Sequence, residues 1–186
     1  MSNSREQILQ TTCDLLEKQG YHGTGLNEIV KESGAPKGSL YYYFPEGKEQ
    51  IAAEAVLQSG RMTAERVRAG LTENDSPSRA DYEFVMKIAE SVEISGFGSG
   101  GPLTAIAMET ATQSERINSA CREAYRMIEA AFLERLVNGG YDQAKAKDLA
   151  TFMTAAIEGG IILSRTYHTG DPLRMVARQL KGLLSE

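Results

Sequence analysis

Two short apolar faces separated by Gly34-Ala35-Pro36 constrain this chain more than any other stretch of it. Leu26, Ile29 and Val30 recur at helical spacing, Thr24 stands where an N-cap would open that helix, and Gly34 stands where a left-handed residue would close it. Pro36 suits the first turn of a second helix, in which Leu40 and Phe44 lie four apart and share a face. Residues 24–48 therefore read as two helices joined by a tight turn, with only two apolar side chains to dock the second. At about 100° per residue, Gly38, Ser39 and Tyr42 point away from the docking face, Tyr41 and Tyr43 flank it, and Lys37 occupies the exposed first turn. Three consecutive tyrosines cannot all be core.

A helix with that outward face suits a DNA major groove. Glycine lets the backbone approach, while Tyr41, Tyr42, Tyr43, Ser39, Lys37 and Lys48 reach phosphates or base edges. The competing use is a surface helix whose tyrosines are half-buried between domains.

Gly20-Tyr21, Thr24, Glu28-Ile29, Gly34 and Lys37-Gly38-Ser39-Leu40-Tyr41-Tyr42-Tyr43-Phe44, followed by Lys48-Glu49, resemble the DNA-binding signature of the TetR family of transcriptional regulators. The resemblance covers about the first quarter of the chain. The wording Gly34-Ala35-Pro36-Lys37-Gly38-Ser39 and the extra residue in Pro45-Glu46-Gly47-Lys48 are similar to the LmrA/YxaF-like branch. Val30 departs from the alanine more common at its position, and Pro45-Glu46-Gly47 lengthens the turn before Lys48. The resemblance implies an all-α protein with a three-helix helix-turn-helix domain over residues 1–47. A larger helical domain for effector binding and dimerisation would follow over residues 48–186. Thr24, Lys37, Tyr41, Tyr43 and Lys48 become candidates for phosphate contact, and Gly38, Ser39 and Tyr42 for base readout.

The 186 residues leave room for one or two cores but not for a large enzyme with separate cofactor and substrate domains. No apolar run approaches the ~20 residues that a membrane-spanning helix needs, and Met1-Ser2-Asn3-Ser4-Arg5-Glu6 lacks the apolar core of a signal peptide, so a cytoplasmic protein is expected. Cys13 and Cys121 sit singly at apolar helical positions, which fits buried thiols better than a disulfide or a metal knuckle. The net charge of −5 argues against a nonspecific nucleic-acid coat protein. Residues 1–48 hold five Lys/Arg against six Asp/Glu, so a basic footprint has to be local, at Lys37, Lys48 and the positive end of the second helix.

Further along, helices are expected over residues 5–19, ended by Gly20, and over 48–69, interrupted at Gly60. A loop at 71–78 contains Asn74-Asp75-Ser76-Pro77, and helices follow at 78–94, 102–112, 114–138, 142–169 and 172–184. Gly96-Phe97-Gly98-Ser99-Gly100-Gly101 formally matches the dinucleotide pattern G-x-G-x-x-G, but its flanks are helical and no strand precedes it, so a loop near a ligand cavity is the better use. The related branch often has a cysteine before the following proline; here it is Gly101, which gives no support to a thiol sensor there.

Ala155 with Gly159 and Ala156 with Gly160 are small residues four apart, and Leu173, Val176 and Leu180 line a short last helix that cannot bury them alone. A symmetric four-helix dimer face, including Phe152, satisfies both patterns; so would packing within one chain. Phe84, Ile88, Met108, Tyr125, Phe132, Phe152 and Met153 either line a cavity for an apolar small molecule or form ordinary core.

Enzyme chemistry finds no constellation. His22 and His168 stand apart, no metal-ligand spacing, nucleophile elbow or P-loop exists, and no cofactor is implied. Glu109 and Glu158 lie among apolar residues, either as ligand contacts or as solvated or salt-bridged carboxylates. The expected protein is a homodimeric repressor that binds a palindromic double-stranded operator and is released by a small, mostly apolar effector, with no membrane partner. The alternative is a ligand-binding or protein-interaction module that does not touch DNA.

Overall fold

Apolar residues recur along this chain at helical spacing, and the computed structural model, which describes residues 4–69, 76–98, 100 and 103–185, resolves that pattern into helices. Among the described residues the regular elements are α1 (Ser4–Gly23), α2 (Leu26–Ser33), α3 (Lys37–Tyr43), α4 (Lys48–Ala69), α5 (Pro77–Ile94), α6 (Leu103–Thr110), α7 (Glu115–Asn138), α8 (Gln143–Tyr167) and α9 (Asp171–Leu183). Most of the expected loop at 71–78 lies outside the described residues, as do Ser99, Gly101 and Pro102.

The chain groups into two compact units. The first joins Met1–Arg61 with Gly101–Ala124, and the second joins Met62–Gly100 with Tyr125–Glu186. In the first, α1 packs on α2, α3 and α6, burying Ile8, Leu16, Ile29, Leu40, Phe44 and Ile106 almost completely. Gly20 breaks α1 as expected, with φ 72° and ψ −177°, although helical turns resume to Gly23. Gly60 does not interrupt α4. It lies inside a continuous helix, where an added Cβ would come within 2.7 Å of the Ala124 backbone, so glycine is there for close packing and not for a break.

In the second unit α9 lies on α5 and α8. Leu173, Val176, Ala177 and Leu180 are buried in this chain alone. Gly160 is buried too, and a Cβ there would meet the Leu173 side chain at 3.0 Å and that of Val176 at 3.3 Å. These are corrections to the expected dimer face: Gly160, Leu173, Val176 and Leu180 serve intrachain packing, because α5 and α8 together supply the apolar surface that a lone terminal helix lacks. The turns are tied by polar contacts. Arg174 binds the Glu93 carboxylate through both terminal nitrogens, Gly170 N–H donates to Glu93 at 3.0 Å, and the Tyr141 hydroxyl donates to the Leu184 carbonyl at 2.6 Å. The glycine run follows α5 with Gly96 and Phe97 both near φ +63°, and Arg165 donates to the Phe97 and Gly98 carbonyls.

Arg135 and Asp81 form an ion pair with both side chains fully buried. Arg135 Nε and Nη2 and Asp81 Oδ2 have no hydrogen-bond partner among the described residues. Burial pushes the Asp81 carboxyl up to about 6 against the pull of Arg135, so it is still mostly ionised at neutral pH. Truncating one partner strands the other charge in the core. Asp81→Ala should therefore lose about 3–5 kcal/mol of unfolding free energy in urea denaturation at pH 7, whereas the paired Asp81→Leu/Arg135→Met exchange should lose much less.

Candidate nucleic-acid interface

The tight turn between α2 and α3 is built as its residue types require. Gly34 closes α2 in the left-handed region at φ 64°, the Ala35 N–H donates to the Ser33 hydroxyl at 3.3 Å, and Pro36 enters α3 at φ −56°. Ser39 N–H closes the first turn onto the Pro36 carbonyl at 2.8 Å, and Phe44 N–H caps the last onto the Leu40 carbonyl at 2.9 Å. Leu40 and Phe44 are both wholly buried, with the Arg5 guanidinium 5.6 Å from the Phe44 ring centre.

That docking turns the opposite side outward. Lys37 and Gly38 are exposed, and no atom lies within 4 Å of where a Gly38 Cβ would stand. Tyr42 is 79% exposed, Tyr41 is about half exposed, and Ser39 and Tyr43 are half-buried. Tyr42 and Tyr43 meet edge to face at 5.0 Å, and Tyr43 meets Phe44 at 6.5 Å, so the exposed ring stands on a stack rooted in the core.

Thr24 is a correction. Its side chain is 1% exposed and its hydroxyl donates to the Gly20 carbonyl at 2.7 Å, so it is unavailable to a phosphate through that hydroxyl. Nor does it cap α2: the N-cap residue is Gly25, with no side-chain hydrogen bond. Thr24 instead satisfies a carbonyl left over at the break in α1, a demand invisible until Gly20 is known to leave helical geometry. Lys48 opens α4 half-buried, its ammonium 4.4 Å from the centre of the Tyr21 ring. Burial lowers its pKa, with Glu109 acting in the other direction.

Three residues that the sequence reading did not place here come from far along the chain. Glu109 of α6 accepts a hydrogen bond from the His22 N–H at 3.0 Å, so its carboxylate serves the start of the helix-turn-helix segment. Ser114 donates to Glu49, and Arg116 pairs with Glu46. No sequence signal marks these pairings, because each spans more than sixty residues. Both thiols are buried, Cys13 pushed up to about 12 and Cys121 to about 11 by desolvation, so neither is poised as a nucleophile.

Of the remaining candidates, Phe84 and Phe132 pack edge to face at 5.9 Å, Phe132 and Met153 are fully buried, and Ile88 and Tyr125 are half-buried. Met108 is 77% exposed on α6. Phe152 is 54% exposed on α8, which removes it from an enclosed cavity. Ala155 is exposed, Ala156 and Gly159 are half-buried, and a Cβ on Gly159 would meet nothing.

The Glu109 contact makes Gly20 unusually intolerant. Its φ is left-handed, and an added Cβ would fall 2.0 Å from Glu109 Oε1. Gly20→Ala should lower the melting temperature by about 3–8 °C, and Gly20→Ala/Glu109→Ala should recover part of that loss by removing the collision, as read by thermal denaturation.

Comparison with known proteins agrees with this geometry. A model of bacterial regulatory proteins of the tetR family matches residues 8–55, and one of the C-terminal domain of LmrA/YxaF-like transcriptional regulators matches residues 77–179. YxaF of Bacillus subtilis (strain 168), named an uncharacterized HTH-type transcriptional regulator, is 41% identical over 182 residues, covering 98% of this chain and 95% of its own. The HTH-type transcriptional regulator LmrA of the same organism is 38% identical, covering 98% and 97%. Crystal structures of a TetR transcriptional regulator from Legionella pneumophila and of the reduced form of Escherichia coli NemR share the fold. Their TM-scores are 0.87 and 0.85 at 20% and 22% identity, over 99% and 97% of this chain and 98% and 96% of theirs. With the helix-turn-helix formed as its residues demand and a relative at 41% identity along nearly the whole length, the chain belongs to the TetR family of transcriptional regulators, in its LmrA/YxaF-like branch.

Proposed function

We infer that this regulator is a cytoplasmic repressor that binds a palindromic operator as a homodimer and leaves it when a small, mostly apolar effector occupies the second unit. The observation that carries the DNA reading is the division of α3 into a wholly buried Leu40–Phe44 side and a bare side bearing Lys37, Gly38, Tyr41 and Tyr42. Gly38, Ser39 and Tyr42 are assigned to base edges, and Lys37, Tyr41, Tyr43 and Lys48 to phosphates. Thr24 supports these contacts only from beneath. For the effector, the half-buried Phe84, Ile88 and Tyr125 beside buried Phe132 and Met153 supply apolar surface of the right kind. Release then requires that the effector bind the two domain arrangements with different affinity, since equal binding shifts nothing.

The dimer face is drawn differently from the first expectation. Phe152, Ala155, Gly159, Ile162 and Leu163 fall within an arc of about 100° on α8 and are exposed or half-buried, and Met175 and Leu183 are exposed on α9. Ala156 borders this arc. Small residues at 155 and 159 let a second α8 approach closely, and the apolar side chains around them would otherwise face water.

Electrophoretic and anisotropy titrations with the DNA upstream of the protein's own reading frame test the first part. Lys37→Ala should weaken binding to all sequences and reduce the salt slope by about one, while Tyr42→Ala should alter sequence preference. An unchanged salt slope would remove Lys37 from the phosphate contacts. For the dimer, Gly159→Leu should give monomers in light scattering and lose operator binding together, because two half-sites are then no longer held by one molecule; a dimer that persists would discard the face.

A further inference from the structure

An acidic head must approach a polyanion. Residues 1–48 carry more Asp/Glu than Lys/Arg, and Lys48, assigned above to a phosphate, is flanked by Glu46 and Glu49 at the exit of α3. A bare carboxylate within a Debye length, about 10 Å, of a phosphate repels it, and these two lie one and two residues from Lys48 in sequence.

Neither is left bare. Residues at the start of α7 take both: Arg116 Nη1 in its first turn donates to Glu46, and the hydroxyl of Ser114, just before it, donates to Glu49 while accepting the Ile117 N–H at 3.1 Å. Arg116 is also close enough to Glu49 and Glu54 to feel their charge, and Glu54 itself is paired with Arg5. The Arg116–Glu46 pair is solvent-exposed, so its contribution to folding is small and its use has to be sought elsewhere. The Arg116 guanidinium lowers the pKa of the Glu46 carboxyl, and Glu46 raises that of Arg116 in turn, so the pair stays ionised at neutral pH.

We propose that Arg116 is a positioning residue for DNA binding: by holding Glu46 on the first turn of α7 it neutralises the carboxylate beside Lys48, and so sets operator affinity without touching DNA. This rests on the DNA-binding reading above. It accounts for how an acidic chain presents a local cationic edge, since the cation that offsets Glu46 is supplied from a different part of the sequence. Ser114 does for Glu49, by hydrogen bonding, part of what Arg116 does for Glu46 by charge.

The test is a double-mutant cycle on the full-length protein, using fluorescence anisotropy with the upstream DNA fragment and a melting curve for each variant. Arg116→Ala should weaken binding about fivefold to tenfold at 0.1 M salt, the range expected for unmasking one like charge near the phosphates. Glu46→Ala should bind at least as tightly as wild type, and Glu46→Ala/Arg116→Ala should return to within about twofold of it, because the harm lies in the exposed carboxylate and not in the lost guanidinium. If the double variant stays as weak as Arg116→Ala, Arg116 contacts DNA directly or holds the unit together, and the proposal is overturned; equal affinity of Arg116→Ala and wild type overturns it as well. A wild-type chain that binds no DNA would instead overturn the DNA-binding reading itself, and the proposal with it.

Discussion

The burial of Leu40 and Phe44 is the contact on which the recognition surface depends. A helix of seven residues has almost no stability of its own, so α3 exists because those two side chains are swallowed by the first unit and because Gly34 and Pro36 fix where it begins. Its orientation about its axis follows from the same pair. Once both are inside, Lys37, Gly38 and Tyr42 have nowhere to point but outward, and the aromatic stack from Phe44 through Tyr43 to Tyr42 stiffens the ring that stands free.

Around that helix the polar contacts come from elements that the helix-turn-helix pattern does not contain. Glu109 on α6 holds the backbone at the break in α1, and Ser114 and Arg116 at the start of α7 hold the two carboxylates that flank Lys48 in sequence. The first unit is thus not the N-terminal segment alone, since residues 101–124 belong to its packing. The acidic balance that confines any basic footprint to a few residues is partly paired off by these contacts. Charge counted along a sequence treats Glu46 as bare; charge counted in space finds it paired with Arg116.

The small residues of α8 have two uses. Ala156 and Gly160 differ from Ala155 and Gly159 by one step of about 100°, which is enough to send Gly160 under Leu173 and Val176 and to leave Gly159 with open space above it. Spacing alone could not separate an intrachain contact from an intermolecular one, because both demand the same small residues. The apolar positions of α9 behave likewise: Leu173, Val176 and Leu180 meet α5 and α8, and only Met175 and Leu183 on that helix are left facing outward as large apolar side chains.

By itself the sequence determined the all-helical class, most helix limits, the tight turn at Gly34-Ala35-Pro36 and the face that α3 presents. These are local consequences of residue spacing, capping and backbone freedom, and they need no knowledge of what lies across the core. The tertiary structure alone decided that Thr24 and Gly160 turn inward, that α4 runs through Gly60 to let Ala124 approach, and that Met108 is left exposed on α6. It also decided that Glu109, Ser114 and Arg116 serve the helix-turn-helix segment. Each of these outcomes depends on which residue distant in the chain comes to within a few ångströms, and that is set by the packing of whole helices and not by any pattern along one of them.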